Sequence, residues 1–433
     1  MGDHVTELIE GHRIPEHPEW VMPAYAGGST VNLVNSLLAY FGVEHTGAPL
    51  AFHQEFMAAL RGVRKIILMV FDGMGWFNIE RAHGRRPLIR EVLASAWCRP
   101  LTTVFPSTTS AAISSLATGV APARHGVIGY LMYFPQYHHV FNMLNFTTPD
   151  EQHLDLLSFG FKPESYLGHP TILHCLTAQQ LLAGAYTFHA YVDSGLSRMV
   201  YHDASPNPYY ALGDLIAQAM SQANSPLTQL QFLYWSTLDT LAHNYGAASA
   251  AYADELAMWL AVLRDQMLPH LDAETALVLT ADHGHIDGDD NEAMNLMDMP
   301  VVDSLLRAPP AGEGRAMHLF VLPNKVEQVR HRLEEYLGLT ILGKEEFIAL
   351  RLLGDAPPRP GLEASIGDLI LLPHGSRRVI YEYHPPKPRT SMVGRHGGLS
   401  PDEMIVPLLI FRGGKKTNCS PQSRGGAEER REF

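Results

Sequence analysis

Five separated segments carry side chains able to hold metal ions or to act as a nucleophile. They are VFDGMG with Asp72, VFPSTTSAAISSLATG with its Ser/Thr cluster, STLDTLAHNYG with Asp239 and His243, TADHGH with Asp282 and His283, and GRHGGLSPDEMIVPL with His396. Three carboxylates, three imidazoles and a hydroxyl suit two borderline divalent ions, zinc or manganese, each with positions left open for substrate. Every segment also has an ordinary reading on its own. Asp72 before Gly73 is common turn chemistry. Asp239 and His243, four apart, share a helical face that is usually just solvated. Asp282 and His283 can simply close a strand, and His396 can be a loop histidine making one hydrogen bond. These readings would have to hold in five places at once, and the chemical reading is the more economical.

The hydroxyl cluster is less decided. Ser107, Thr108, Thr109 and Ser110 precede AAISSLATG, a small-residue helix. One of them is suited to cap that helix. A hydroxyl at a helix N-terminus also sits where backbone N–H groups and the helix dipole favour an anion. The residues alone leave open which of the four would attack.

The elements that must position these groups can be read from apolar runs. Residues 65–72 read KIILMVFD, a continuous apolar run closed by an acid, as expected of a strand buried on both faces. QFLYWSTLD, ending at Asp239, and TALVLTADHG, which delivers Asp282 and His283, repeat the pattern. The carboxyl edge of a parallel sheet is where open α/β folds bind ligands. Helical patterns at 208–223 and 249–268 lie between the runs, so the expected fold is α/β: a doubly wound, mainly parallel sheet with helices on both faces. Residues 1–60 are expected to pack on a catalytic domain at 61–412. Within that domain the aromatic- and His-rich stretch at about 130–200 reads as an inserted cap, and 286–315 as a second irregular insertion. Beyond it, a strand at 318–322, a helix at 326–337 and a hairpin in DLILLPHGSRRVIYEY are expected. Residues 413–433, polar and biased, read as a disordered tail.

With 433 residues, 46% apolar and 18% charged, the chain has the composition of a globular protein with a sizeable core. The net charge of −13 argues against general binding to nucleic acid or anionic membranes, which needs a basic surface. Bound divalent ions can still make an acidic protein locally cationic. Three dispersed cysteines form no disulfide framework or zinc motif. The polar N-terminus lacks the apolar core of a signal peptide, and no run of about 18 apolar residues suggests a membrane span. A cytoplasmic enzyme is the expectation.

The order and wording of the five segments resemble the alkaline phosphatase superfamily, and within it the type I phosphodiesterase/nucleotide pyrophosphatase family. VFPSTTSAAISSLATGVAPARHG is similar to that family's TFPS-x-T…TGxxPxxHG segment, which places the nucleophile on Thr109. The resemblance covers about residues 60–412. It implies one ion held by Asp239, His243 and His396, and a second by Asp72, Asp282 and His283 with Thr109 beside it. It implies hydrolysis of a phosphodiester or phosphoanhydride in a small soluble substrate, through a phosphothreonine intermediate. A threonine hydroxyl is a poor nucleophile at neutral pH, and metal coordination is one way to favour its alkoxide.

One position departs from the pattern. The family usually carries an asparagine after HGIxG to bind a phosphoryl oxygen, whereas HGVIG is followed here by Tyr130. Tyr130, or Asn142 or Asn145 from the insertion, can supply that contact, and Tyr130 can equally just pack beneath the cap. Phosphonoacetate hydrolase shares the threonine and similar ligands and remains an alternative, as does a phosphomonoesterase. A non-enzymatic alternative is a metal-stabilised binding protein. The acidic run Asp287, Asp289, Asp290 and Glu292 lacks the spacing of a calcium loop and reads as a solvated loop.

Overall fold

The computed structural model describes residues 2–45, 47–383 and 392–414. The tail expected at 413–433 therefore lies almost wholly outside the described residues. The central sheet has seven strands: β1 Lys65–Phe71, β2 Trp97–Thr102, β3 Leu182–Phe188, β4 Asn207–Tyr209, β5 Gln229–Trp235, β6 Thr275–Ala281 and β7 Ile405–Arg412, in the order β2-β7-β6-β1-β5-β3-β4. Pairing is parallel from β6 through β1, β5 and β3 to β4, and only β7 runs against the rest. All seven residues of β1 and of β6 are buried, as unbroken apolar runs demand when helices cover both sheet faces. Two groups of packed helices provide that cover. One contains Trp76–Arg85, Thr237–Tyr245 and Ala250–Val262; the other contains Thr30–Tyr40, Thr109–Thr118 and Gly195–Val200. This is the expected α/β architecture.

Register explains why chemistry gathers at one edge. Phe71 is level with Ala281 on one side and Trp235 on the other. The residues that follow, Asp72, Asp282 and the turn into helix Thr237–Tyr245, therefore emerge together. Because β7 is antiparallel and begins with Ile405 opposite Thr102, the loop before β7 and the segment after β2 arrive at that same edge. His396 and Thr109 are thereby delivered beside the carboxylates.

A second, six-stranded antiparallel sheet runs in the order Leu339–Gly343, Leu369–Pro373, Ala316–Val321, Leu306–Glu313, Leu131–Phe134, His139–Asn142. Its separate apolar core includes Leu296, Leu319, Val329, Leu333 and Leu369. The stretch at 130–200 is thus divided between the two sheets, since it supplies two strands here and β3 to the central sheet. The hairpin expected in DLILLPHGSRRVIYEY does not form. Leu369–Pro373 is flanked by Leu339–Gly343 and Ala316–Val321, so both its edges are taken, and Val379–Ile380 instead pairs in parallel with Met294–Asn295. Among the described residues no helix is long and apolar enough to cross a membrane.

Candidate metal centre and nucleophile

Asp72, at the end of β1, and Asp282, at the end of β6, are buried side by side with His283. His283 Nε2 lies 3.2 Å from Asp72 Oδ1 and 3.6 Å from Asp282 Oδ2. Asp282 Oδ1 accepts from the backbone N–H groups of Gly73 and His283, at 3.1 and 2.9 Å. Its Oδ2 is buried with no hydrogen-bond partner among the described residues. Burial and the neighbouring Asp72 charge push the Asp282 carboxyl well above its ordinary range. Burial alone would lower His283, but Asp282 and Asp72 push it up to about 10. Two adjoining buried carboxylates, one with a bare oxygen, form a site that a divalent ion would neutralise. Tyr234 of β5 donates to Asp72 Oδ2 and fixes the orientation of that carboxylate.

A second cluster forms around Asp239 Oδ1, on the first turn of helix Thr237–Tyr245. His243 Nε2 is 3.2 Å away and His396 Nε2 3.7 Å away. Outer contacts fix both rings: His243 Nδ1 meets Gly394 O at 2.8 Å, and His396 Nδ1 meets Ser107 O at 3.0 Å. Such bonds leave Nε2 free as a ligand. Burial would raise Asp239, but His243 and His285 hold it well below the usual carboxylate range. The donor types and their convergence fit divalent ions in both clusters.

His285 was not singled out in the sequence. It is fully buried, and its Nε2 is 2.9 Å from Asp239 Oδ1, closer than either expected histidine. Asn78 pins it from both sides of the backbone, accepting from His285 N and donating to His285 O, each at 2.9 Å. A signal existed in the spacing, because His285 stands two residues beyond His283 in TADHGH. The glycine between them is required by space: a Cβ on Gly284 would lie 2.1 Å from Asp402 O and 2.8 Å from Gly75 Cα. His285→Ala is expected to lower metal affinity at the Asp239 cluster by about 10–100-fold, the usual cost of losing an outer partner of a ligand. Metal titration of the chelator-stripped variant measures this, and an unchanged affinity would remove His285 from the site.

Of the four clustered hydroxyls, Thr109 is the one in contact with Asp72 and His283. Its Oγ1 is 3.2 Å from His283 Nε2 and 3.4 Å from Asp72 Oδ1. Ser107 Oγ donates to Gly398 O at 2.8 Å and accepts from Gly397 N at 3.1 Å; Ser110 Oγ donates to Gly129 O at 2.9 Å. Thr108 is the N-cap residue by position but makes no side-chain capping bond. Thr109 is the first residue of helix Thr109–Thr118, which ends at Gly119 with φ 69°, a left-handed stop that glycine permits.

The His396 loop is held by another pair the sequence did not flag. Glu403 is buried and accepts from Arg315 Nε and Nη2, Gly398 N and Ser400 Oγ, at 3.1, 2.8, 2.8 and 2.6 Å. Ser400 and Glu403 form a capping box at the short helix Pro401–Met404.

Two cavities meet at Thr109, Leu144 and Asp239. One, of about 320 Å³, is walled by Tyr191, Tyr201, Tyr234, Ser194, Thr187 and Asn145 and has no lysine or arginine among its lining residues. The other, of about 500 Å³, is walled by Tyr130, Tyr381, Tyr383, Glu313 and three arginines. Those arginines are already paired, Arg315 with Glu403 and both Arg378 and Arg395 with Asp290. The acidic run expected to be a solvated loop thus has Asp290 locked between two guanidinium groups. Asp287 accepts from Ala247 N and Ala248 N. Burial pushes Glu313 up to about 7 despite its hydrogen bonds from Thr108 and the Tyr130 N–H.

The departing position is also resolved. Asn142 Nδ2 donates to Oη of Tyr130 at 2.6 Å, and of the two Tyr130 lines the larger cavity. Asn145 lies in the smaller one, with its Oδ1 accepting from Thr147 N and Oγ1.

Among solved structures, murine ectonucleotide pyrophosphatase/phosphodiesterase 5 superimposes with a TM-score of 0.58 at 17% identity, covering 80% of this chain and 87% of that one. An inactive form of it in complex with AMP gives the same values. Phosphonoacetate hydrolase from Sinorhizobium meliloti 1021, in complex with phosphonoacetate, gives 0.57 at 18% identity, covering 83% and 91%. At these identities the likeness is one of fold. No curated protein sequence matches the chain. The family model described as type I phosphodiesterase/nucleotide pyrophosphatase matches residues 66–399, a span that takes in β1 from Ile66 on, Thr109, both carboxylate clusters and His396, and the chain belongs to that family.

Proposed function

We propose that the protein hydrolyses phosphodiester or phosphoanhydride bonds in a small soluble substrate, with Thr109 as the nucleophile. The observation that carries this reading is the meeting of two cavities at Thr109, which leaves room for a substituent on each side of a bound phosphorus. A phosphomonoester would fill only one. Phosphonoacetate would bring a carboxylate, yet among the described residues the smaller cavity offers no lysine or arginine and every arginine of the larger is paired. Both facts favour a diester with substituents that carry no carboxylate, in a partly aromatic-lined site, over the phosphonate alternative.

Asp239, His243 and His396 would hold one divalent ion, and Asp72, Asp282 and His283 the other, with zinc preferred over manganese for this mixed set. When bound, the ions lower the proton affinity of the hydroxyl, neutralise the phosphoryl oxygens and stabilise the leaving oxygen. The protein side chains provide position. Tyr234 orients Asp72, Ser107 O orients His396, and Thr109 opens helix Thr109–Thr118, whose N-terminal dipole favours an anion. Thr109 Oγ1 attacks phosphorus, the P–O bond to the first ester oxygen breaks, and the hydroxyl proton passes through solvent to that departing oxygen, leaving the phosphoryl group on threonine. Water then attacks from the opposite side and restores the hydroxyl. Two in-line displacements give net retention at phosphorus.

A panel of bis-p-nitrophenyl phosphate, a nucleotide p-nitrophenyl ester, p-nitrophenyl phosphate and phosphonoacetate tests the assignment. The expected result is kcat/KM for the diesters at least about tenfold above the other two, a transition-state difference of about 1.4 kcal/mol. A preference for p-nitrophenyl phosphate or phosphonoacetate would replace the diesterase reading with the corresponding alternative. Turnover of none, by protein holding its metal, would favour a binding protein.

A further inference from the structure

The N-terminal hairpin, Arg13–Ile14 with His17–Val21, carries His17 and Glu19 up against His374, just beyond the strand Leu369–Pro373. Nδ1 of His17 lies 3.8 Å and Nδ1 of His374 3.6 Å from the same Glu19 Oε1. Both distances are too long for a hydrogen bond. They are close to the roughly 3.3 Å that separates donors placed tetrahedrally about zinc at bond lengths of about 2.0–2.1 Å. One donor atom from each of the three residues lies within 4.8 Å of the others.

The far side of each ring is engaged. Thr340 Oγ1 is 2.7 Å from His374 Nε2 and 3.4 Å from His17 Nε2. A hydroxyl has one proton, so it can donate to only one of these nitrogens and must accept from the other. At least one neutral ring therefore carries its proton on Nε2 and turns an Nδ1 lone pair towards the carboxylate. Lone pair facing lone pair is relieved by a bridging water, by a proton on the ring or by a cation between them, and three convergent donors favour the cation. Such an outer hydrogen bond is also how ligating imidazoles are commonly fixed in tautomer and orientation. Trp20, 3% exposed, sets the ring planes: it stacks on His17 at 4.1 Å and meets His374 edge-on at 5.4 Å. The two imidazoles are thus held in place by packing before any ion arrives, and the exposed Glu19 carboxylate closes on the ion from solvent.

We propose that His17, Glu19 and His374 form a further divalent-metal site, of the zinc class, distinct from the Asp72 and Asp239 clusters. Two imidazoles and one carboxylate are the ligand types that zinc takes, with water completing the coordination. The ion clips the N-terminal hairpin to the antiparallel sheet. The hairpin in turn touches the catalytic edge, because Val21 N donates to Leu399 O at 2.8 Å in the loop that carries His396. The site is therefore a structural clip whose neighbour is the HGG loop.

The test uses the full chain, stripped by chelator and titrated with zinc, comparing the parent with the His17→Ala/His374→Ala double variant and with Glu19→Gln. Bound zinc is counted after gel filtration, and thermal unfolding is followed with and without zinc. The double variant is expected to bind one equivalent fewer than the parent and to show a smaller zinc-dependent rise in Tm, with diesterase turnover unchanged. Glu19→Gln, which keeps the packing and removes the anionic ligand, is expected to weaken that equivalent at least about tenfold. The count is a difference between variants, so it holds whether the catalytic clusters take two ions, one or none. Equal zinc content and equal zinc-dependent Tm in parent and Glu19→Gln would overturn the proposal.

Discussion

Thr109→Ala is expected to fold, to bind metal nearly as the parent does, and to cleave bis-p-nitrophenyl phosphate at least about 10³-fold more slowly. The substitution removes one hydroxyl and one methyl from a partly exposed side chain whose polar contacts are Asp72 and His283, so little packing is lost. What disappears is the covalent route. Thr109→Ser keeps the oxygen and should retain part of the activity. The neighbouring hydroxyls serve as controls of unequal quality. Ser110→Ala loses a buried bond to Gly129 O and should cost about 0.5–1.5 kcal/mol of stability with turnover largely kept. Thr108→Ala removes a hydrogen bond to Glu313 and no capping bond, so it should be mild. Ser107→Ala is a poorer control, because Ser107 ties down Gly397 and Gly398 beside His396. Steady-state kinetics beside thermal unfolding separates the cases. Near-normal turnover by Thr109→Ala with a dead Thr108→Ala would move the nucleophile by one residue.

Asp239→Asn should have the next largest effect. Its Oδ1 is the point on which His243, His285 and His396 converge, at 3.2, 2.9 and 3.7 Å. Asparagine preserves shape and removes the charge, leaving three buried or half-buried imidazoles without their anion. One equivalent of metal should be lost, and turnover should fall by more than the roughly 100-fold ceiling typical of outer partners. His285→Ala, at about 10–100-fold in affinity, sets the scale for comparison. Metal content and kcat/KM of the two variants, measured together, distinguish a ligand from its orienting partner. Equal losses in both would make His285 a ligand in its own right, and a full metal complement in Asp239→Asn would remove Asp239 from the centre.

The central sheet was legible because β1 and β6 are buried along their whole length, so KIILMVF and TALVLTA had to be continuous apolar runs. The candidate ligands were legible for a related reason. A residue that follows such a run must emerge at the sheet's carboxyl edge, and Asp72 and Asp282 do so in register. The outer strands gave a weaker signal. Leu182–Phe188 reads LAGAYTF, too small and mixed to mark a strand, and it went unread inside the stretch at 130–200. The failed hairpin has a similar cause, since nothing local to residues 368–383 reveals that other strands already occupy both edges of Leu369–Pro373. Partners fixed by long-range packing were also invisible. Glu403 and Arg315 are 88 residues apart in sequence, and Asn78 reaches His285 across 207.

The stereochemical course at phosphorus tests the central claim most directly. A phosphodiester made chiral by sulfur substitution at phosphorus, cleaved in isotopically labelled water, reports the number of in-line displacements regardless of whether an intermediate accumulates. Transfer first to Thr109 and then to water requires two inversions, so the product should show net retention. Net inversion would mean a single direct attack by water and would contradict Thr109 as the nucleophile.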